Sequence, residues 1–430
     1  MTKDTICPVP WMHLAFEPSG KIVPCCLTSS HNYFAGDLNT SSIEEIWNGD
    51  NMKSLRKQMI NGEEPKICNY CFNKEKITGE SARLWHKKDF PNVLKQIPIV
   101  TEPDGACNKM ELLYWDFRFS NLCNMKCRSC GPRFSSAWVP DAKKLRWIKE
   151  ADKVSNIENV DDKTNYSFLE AQVKHVQKIY FAGGEPLLMP EHWDILEMLA
   201  ENKRFDVNLS YNINCSVLEY GQKNVLDYWS LWDYGKLDIW PSIDEIGDRA
   251  ELVRSGTVWH KVDANLKKLV ALDNIILRPS ITVSAFNAFR IPAIIDYFCQ
   301  IGLVKELYKH RAFYFNIVEN PMHYHVSVLP DNLRQRSMEQ IEEVINKYND
   351  MYNTDISHVF THVKYELDKP HNPEMAKKFL NVSSQIDFLR KESIFQTIPE
   401  LIELSDMYPN EYKSPKEYEK YLEEHPLQVD

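Results

Sequence analysis

Polar and apolar residues alternate along residues 112–120. Asp116, Arg118 and Ser120 fall on one side of an extended chain, and Trp115, Phe117 and Phe119 on the other. Further apolar runs recur at 176–181, 205–214, 237–244, 275–287 and 313–318, separated by stretches with helical periodicity. Strands alternating with helices predict an α/β fold with a parallel sheet. Six such units make a partial (β/α)6 barrel, open at one side. Strands of a parallel sheet are usually apolar on both faces, so the polar side of 112–120 predicts a wet interior. A structural Asp116–Arg118 pair at a strand end fits the pattern equally well. In such folds the carboxyl ends of strands carry ligands. That rule singles out Asn214, Ser242, Asp244, Asn287 and Asn320, with Arg254 shortly after the fourth strand. Turn and cap chemistry serves the same residue types and stays open for each.

The pattern changes at both ends. Residues 11–25 read as a hairpin, with Pro18, Ser19, Gly20 and Lys21 as its turn. Ser42 suits the N-cap of a following helix. After Pro330 the apolar spacing turns helical: Asp331 suits a cap, and Leu333, Met338, Ile341, Ile345 and Tyr348 share a face. The stretch 379–404 reads as one or two amphipathic helices. Residues 151–166 read as a polar surface insertion. This divides the chain into 1–85, a linker at 86–110, the α/β region at 111–330 and a helical extension at 331–430, with a packing or lid role for the last.

Composition narrows the class. The 430 residues are 43% hydrophobic and 26% charged, as in chains with a sizeable core, and the net charge of −10 argues against a general nucleic-acid binder. No apolar run approaches the roughly 20 residues that span a bilayer, and the start MTKDTICPVPW is not a secretory signal. A cytoplasmic protein is the expectation. In that reducing compartment the 11 cysteines should be metal ligands, reactive thiols or small buried groups, not disulfides.

Eight of those cysteines are clustered: Cys7, Cys25, Cys26, Cys68 and Cys71, then Cys123, Cys127 and Cys130. Cys107, Cys215 and Cys299 read as buried packing, with Cys215 the most exposed to a role at a strand end. His310, His323 and His325 are too loosely spaced for a metal site and read as solvated. The triplet CNMKCRSC has spacing C-x3-C-x2-C. A closed zinc site and an iron–sulfur cube both want four ligands, so three thiolates leave an iron with an open position where a cofactor binds. A zinc ion completed from elsewhere is the other reading. Cys7, Cys25, Cys68 and Cys71 supply four thiolates, which suits a zinc ribbon on spacing alone. Downstream, an apolar strand runs into Gly183-Gly184-Glu185-Pro186. Paired glycines let backbone approach a ligand closely, and a glutamate accepts from an amine.

A C-x3-C-x2-C loop after a first strand and a GGEP loop after a second resemble the radical S-adenosylmethionine (radical SAM) superfamily. The resemblance implies that Cys123, Cys127 and Cys130 hold a [4Fe–4S] cluster whose open iron chelates SAM. It further implies that Gly183, Gly184 and Glu185 contact SAM, with Asn214, Ser242 and Arg254 reaching its ribose and carboxylate. Ser129 departs from the aromatic residue usual before the third cysteine. The spacing Cys7-x12-Gly20-x4-Cys25 followed by Cys68-x2-Cys71 resembles the SPASM module, or its shorter twitch form. The later C-x5-C of the long form is absent, since Ile77 stands at its second position. One auxiliary [4Fe–4S] cluster on Cys7, Cys25, Cys68 and Cys71 is implied, with Cys26 spare or alternative to Cys25. In most relatives this module follows the barrel; here it precedes it.

The implied reaction is reductive cleavage of SAM to a 5′-deoxyadenosyl radical, which abstracts hydrogen from a substrate. The auxiliary cluster either accepts the substrate's electron or coordinates the substrate. A flavodoxin- or ferredoxin-type electron donor is the implied partner, with no membrane. The start at Cys7 leaves no room for a peptide-recognition domain, which tilts the expectation to a small molecule or a separately delivered peptide. A peptide- or protein-modifying maturase and a non-enzymatic structural zinc protein remain as alternatives.

Overall fold

Val, Ile, Leu and aromatic side chains at every second position allow one sheet face to be sealed by helices. In the computed structural model, which describes residues 4–17, 19–28, 34–149, 163–304 and 313–424, that sheet has eight strands. They are β1 (His13–Phe16), β2 (Lys21–Val23), β3 (Gly36–Asp37), β4 (Tyr114–Phe117), β6 (Lys178–Phe181), β7 (Asn208–Ile213), β8 (Leu237–Pro241) and β10 (Ile275–Leu277). Two short segments, β5 (Lys126–Cys127) and β9 (Arg254–Ser255), pair with each other outside it. The order is β10-β8-β7-β6-β4-β1-β2-β3, and every pair from β10 to β1 is parallel. β11 (Ser280–Val283) and β12 (Tyr314–Ile317) form a parallel pair, tied to the end of β8 by a bridge between Ser242 and Ser280.

All six expected apolar runs hold strands. The fifth is split into β10 and β11. Pro279 sits at the break, because a proline nitrogen cannot donate to a ladder. Trp115, Phe117, Ile179, Phe181, Leu209, Tyr211, Leu237 and Ile239 are buried together under the helices that join the strands. Each such side chain contributes roughly 1.5–3 kcal/mol. The opposite face carries polar residues in layers fixed by register. His13, Tyr114 and Lys178 align first; Asp116, Tyr180, Ser210 and Asp238 next; Asn212 and Trp240 after them.

The N-terminal hairpin is part of this sheet. β1 pairs in parallel with β4, Leu14 beside Trp115. Ser42 and Glu45 form a reciprocal cap on the helix Ile43–Trp47, as the sequence led one to expect. The stretch expected as a linker holds helices Ala82–Asp89 and Pro91–Val100.

The C-terminal extension is helical, with Asp331–Tyr352, Ser357–Leu367 and Pro373–Arg390 as its main helices. Pro330, not Asp331, occupies the first cap; Asp331 begins the helix and pairs with Arg334. His323 and His325 are buried, not solvated. His325 meets Ser327 at 2.9 Å and Glu366 at 2.9 Å, a structural use of its ring. Most of the insertion expected at 151–166, Pro18 of the expected turn, and His310 lie outside the described residues. Among the described residues no helix is long and apolar enough to cross a membrane.

Candidate functional site

The chain leaves β4 and enters a loop with few regular hydrogen bonds of its own, so side chains fix it. Cys123 N donates to Ser136 Oγ at 3.2 Å, Ser135 Oγ donates to Met125 O at 2.5 Å, and Trp138 Nε1 donates to Cys127 O at 2.8 Å. Met125 N donates to the Cys123 sulfur at 3.4 Å. β5, inside this loop, pairs antiparallel with β9, which sets Cys127 opposite Arg254. Burial pushes the Cys123 thiol up to about 11 and Cys130 to about 12; each of these is also raised by a neighbouring thiol of the triplet. Burial raises Cys127 too, and the Arg254 guanidinium opposes it. Cys127 interacts electrostatically with both other thiols, and the Arg254 cation with all three, a donor set whose chemistry suits an iron–sulfur cluster of net negative charge. Arg254 is held by Asp244, Nη1 to Oδ2 at 2.8 Å. Burial works against its charge, and Cys127 and Asp244 more than offset that.

The GGEP loop meets this loop directly. Gly183 has φ +116°, a conformation that disfavours a side chain. A Cβ on Gly184 would lie 2.2 Å from Leu122 O, so the close approach of backbones requires glycine there. Glu185 N donates to Leu122 O at 2.8 Å. Its buried carboxylate accepts from Asn214 N at 2.7 Å and Leu187 N at 3.3 Å. Burial raises its pKa to about 7 despite those two donors. Asn214 Nδ2 donates to Asn124 Oδ1 at 2.9 Å, bringing the end of β7 to the same place.

Of the remaining expected residues, Asp244 and Asn287 are joined: Asn287 Nδ2 donates to Asp244 O at 2.7 Å, and Thr282 N donates to Asp244 Oδ1 at 2.7 Å. Ser242 lies at the end of β8, where its N donates to Ile213 O. Asn320 is exposed and is not brought in. Cys107 and Cys215 are buried, and Cys299 is half-buried. Sequence reasoning missed the support from the C-terminal extension. Arg128, inside the cysteine loop, is buried against Asp387 at 2.5 Å and Glu392 at 2.7 Å. Arg390 pairs with Asp141 at 2.9 Å and lies over Trp138. The two charges inside the cysteine motif, Lys126 and Arg128, were the local signal that could have pointed to partners outside it.

Cys7, Cys25, Cys68 and Cys71 border one cavity of about 40 Å³ with Arg83 and His86. Burial pushes Cys7 and Cys68 up to about 12 and raises Cys71. Cys7 and Cys68 are each raised further by a neighbouring thiol, so this donor set also fits a cluster. Among the described residues no three His, Cys, Asp or Glu side chains converge as around a single ion. Cys25 also borders a second cavity, of about 180 Å³, together with Cys26 and residues of the polar sheet face: Tyr114, Tyr180, Ser210 and Trp240.

Comparison with known proteins gives one assignment. Residues 7–72 match the SPASM iron–sulfur cluster-binding domain. No curated protein matches the chain. Among solved structures, native anSMEcpe with bound AdoMet is similar at 17% identity and TM-score 0.38, over 55% of this chain and 60% of that one. Streptococcus suis SuiB bound to precursor peptide SuiA is similar at 12% identity and TM-score 0.38, over 68% and 63%. The chain thus spans less than two thirds of these solved chains.

Proposed function

We propose that this chain is a radical SAM enzyme carrying one SPASM-type auxiliary cluster ahead of a partial (β/α)6 barrel. In this reading 1–85 is the auxiliary region, 86–110 the connection, 111–330 the barrel and 331–430 a helical extension. Cys123, Cys127 and Cys130 hold the SAM-binding cluster, and Cys7, Cys25, Cys68 and Cys71 hold the second. The observation that carries the reading is the meeting of two motifs about sixty residues apart in sequence. The cysteine loop and the Gly183–Gly184 backbone touch, with Glu185, Asn214 and Arg254 around them.

When bound, the cluster and SAM supply a 5′-deoxyadenosyl radical able to take hydrogen from an unactivated carbon. The chain's residues position and shield. Gly183 and Gly184 keep backbone close to the cofactor. Glu185 is locked by two backbone donors and offers acceptor capacity to an amino group. Arg254, held by Asp244, presents a cation that suits a carboxylate. Ser242 and Asn214 stand at strand ends for the ribose. The polar sheet face forms the lumen in which a small molecule or peptide is oxidised or otherwise modified, and Cys25 borders both this space and the four-thiol cavity that would hold the auxiliary cluster.

Protein reconstituted without air with iron and sulfide should hold about eight irons, two cubes of four. With SAM and a reductant it should release 5′-deoxyadenosine. Cys127→Ala should abolish that product and lower iron by about four per chain. A colourless, zinc-loaded protein that yields no 5′-deoxyadenosine would replace this reading with a structural zinc protein.

A further inference from the structure

A cavity of about 360 Å³ opens where three segments distant in sequence meet. The helix Asn69–Thr78, which carries Cys71, brings Lys74 to its border. Strand β12 brings Tyr314 and Phe315, and the helix Ser357–Leu367 of the C-terminal extension brings Thr361. Trp85 and Tyr314 border both this cavity and the one on the polar sheet face, so the two spaces share walls.

Lys74 is half-buried, and burial works against its charge. Its ammonium lies over the ring of Tyr314 at 5.4 Å and that of Tyr70 at 5.9 Å. Ring faces attract the charge but give its three N–H donors no oxygen acceptor. Cys71 and Glu319 favour the charged form from a distance, and among the described residues no carboxylate lies within ion-pair reach of it. The carboxylates around the cavity are already engaged. Glu80 accepts from Trp85 Nε1 at 2.6 Å and faces Lys88 at 3.5 Å. Glu366, beside His362, meets His325 at 2.9 Å and Lys369 at 2.5 Å. The space therefore offers one ammonium without an acceptor, a hydroxyl from Thr361 and walls that are largely aromatic. One ammonium balances one negative charge, and aromatic walls penalise any further charge left unpaired.

We propose that this cavity binds a monocarboxylate with an apolar body, the carboxylate on Lys74 and the body against Tyr314, Phe315 and Trp85. There it anchors one end of a substrate whose other end enters the cavity on the polar sheet face. The anchoring role rests on the radical-enzyme reading; the binding does not. The carboxylate belongs either to a free acid or to a glutamate side chain of a peptide. Saturation-transfer NMR on the full reconstituted chain, without SAM or reductant, tests it. The probes are hydrocinnamate against hydrocinnamamide, and the end-blocked dipeptide phenylalanyl-glutamate against phenylalanyl-glutamine. At least one acid should bind about tenfold or more tightly than its amide, and the stronger acid identifies the source; tenfold corresponds to about 1.4 kcal/mol.

Lys74→Met should erase that preference and Lys74→Arg should keep it, both with iron content retained. If Lys74→Met loses iron or does not fold, Thr361→Trp, at an exposed position on the cavity border, fills the space and should weaken acid and amide together severalfold. No acid binding at millimolar concentration, or equal binding of acid and amide, overturns the proposal and leaves Lys74 as a counter-charge to the nearby thiolates. Retained preference in Lys74→Met, or unchanged binding in Thr361→Trp, overturns it as well. Carboxylate binding in a protein that makes no 5′-deoxyadenosine would sink the radical reading alone.

Discussion

Cys25 and Cys26 are adjacent in sequence and both border the cavity on the polar sheet face, but Cys25 alone of the two also borders the four-thiol cavity. Cys25→Ala should therefore lower reconstituted iron by about four per chain, and Cys26→Ala should leave it unchanged; iron and sulfide analysis of the two variants decides. Spacing alone had left the two cysteines as alternatives, because a one-residue step reverses a side chain's direction only relative to a fold not yet known. Glu185 makes a pH argument at the same scale. Its folded pKa of about 7 stands above the ordinary 4.5, so the folded chain binds the proton more tightly than the unfolded one. The associated stability is complete below pH 4.5 and declines as pH rises to about 7, by on the order of 3 kcal/mol. Denaturant titrations from pH 4.5 to 8 should show this decline in the wild type and a flatter profile in Glu185→Gln. At Gly184, alanine must push against the Leu122 carbonyl, so Gly184→Ala should cost about 1–3 kcal/mol in the same titrations.

Among the elements, the helix Pro373–Arg390 does more than cover the core. Through Asp387 it holds Arg128 in the cysteine loop, and Asp387 also accepts from Ile394 N at 2.8 Å and the Tyr412 hydroxyl at 2.7 Å. A packing role for this extension was legible from its apolar spacing. The ion pair was not, since 259 positions separate its partners. Asp387→Asn should destabilise the fold by about 3 kcal/mol, because a buried guanidinium loses its closest counter-charge. Replacing both partners, Arg128→Met with Asp387→Leu, should recover much of the loss. Thermal unfolding of the single and double variants gives the comparison. The strands were the most legible elements: six runs were read and all six hold strands, with one split at Pro279 by a rule the sequence already contained.

At the scale of the whole molecule, the N-terminal hairpin completes the sheet. β1 covers the edge of β4, and Leu14 and Phe16 join the core beside Trp115 and Phe117. A fragment comprising residues 111–430 would expose that edge together with its apolar face. It should aggregate or unfold without cooperativity, whereas the full chain unfolds as one unit. Soluble, cooperatively unfolding fragment, seen by calorimetry, would show that the hairpin is dispensable.

Local chemistry determined what a local sequence can: strand and helix periods, the capped helix at Ser42, the three-thiol loop, the glycine pair and the grouping of four further thiols. These depend on spacing within a few residues, or on donor type. The tertiary structure alone decided which side of the sheet became polar cavity, which of two adjacent cysteines also reached the four-thiol cavity, and which distant charges met in the cysteine loop. It also brought Lys74 to a cavity between three distant segments. Such features depend on strand register and on chain segments brought together by burial, and long-range pairing leaves no periodic trace in the sequence of either partner.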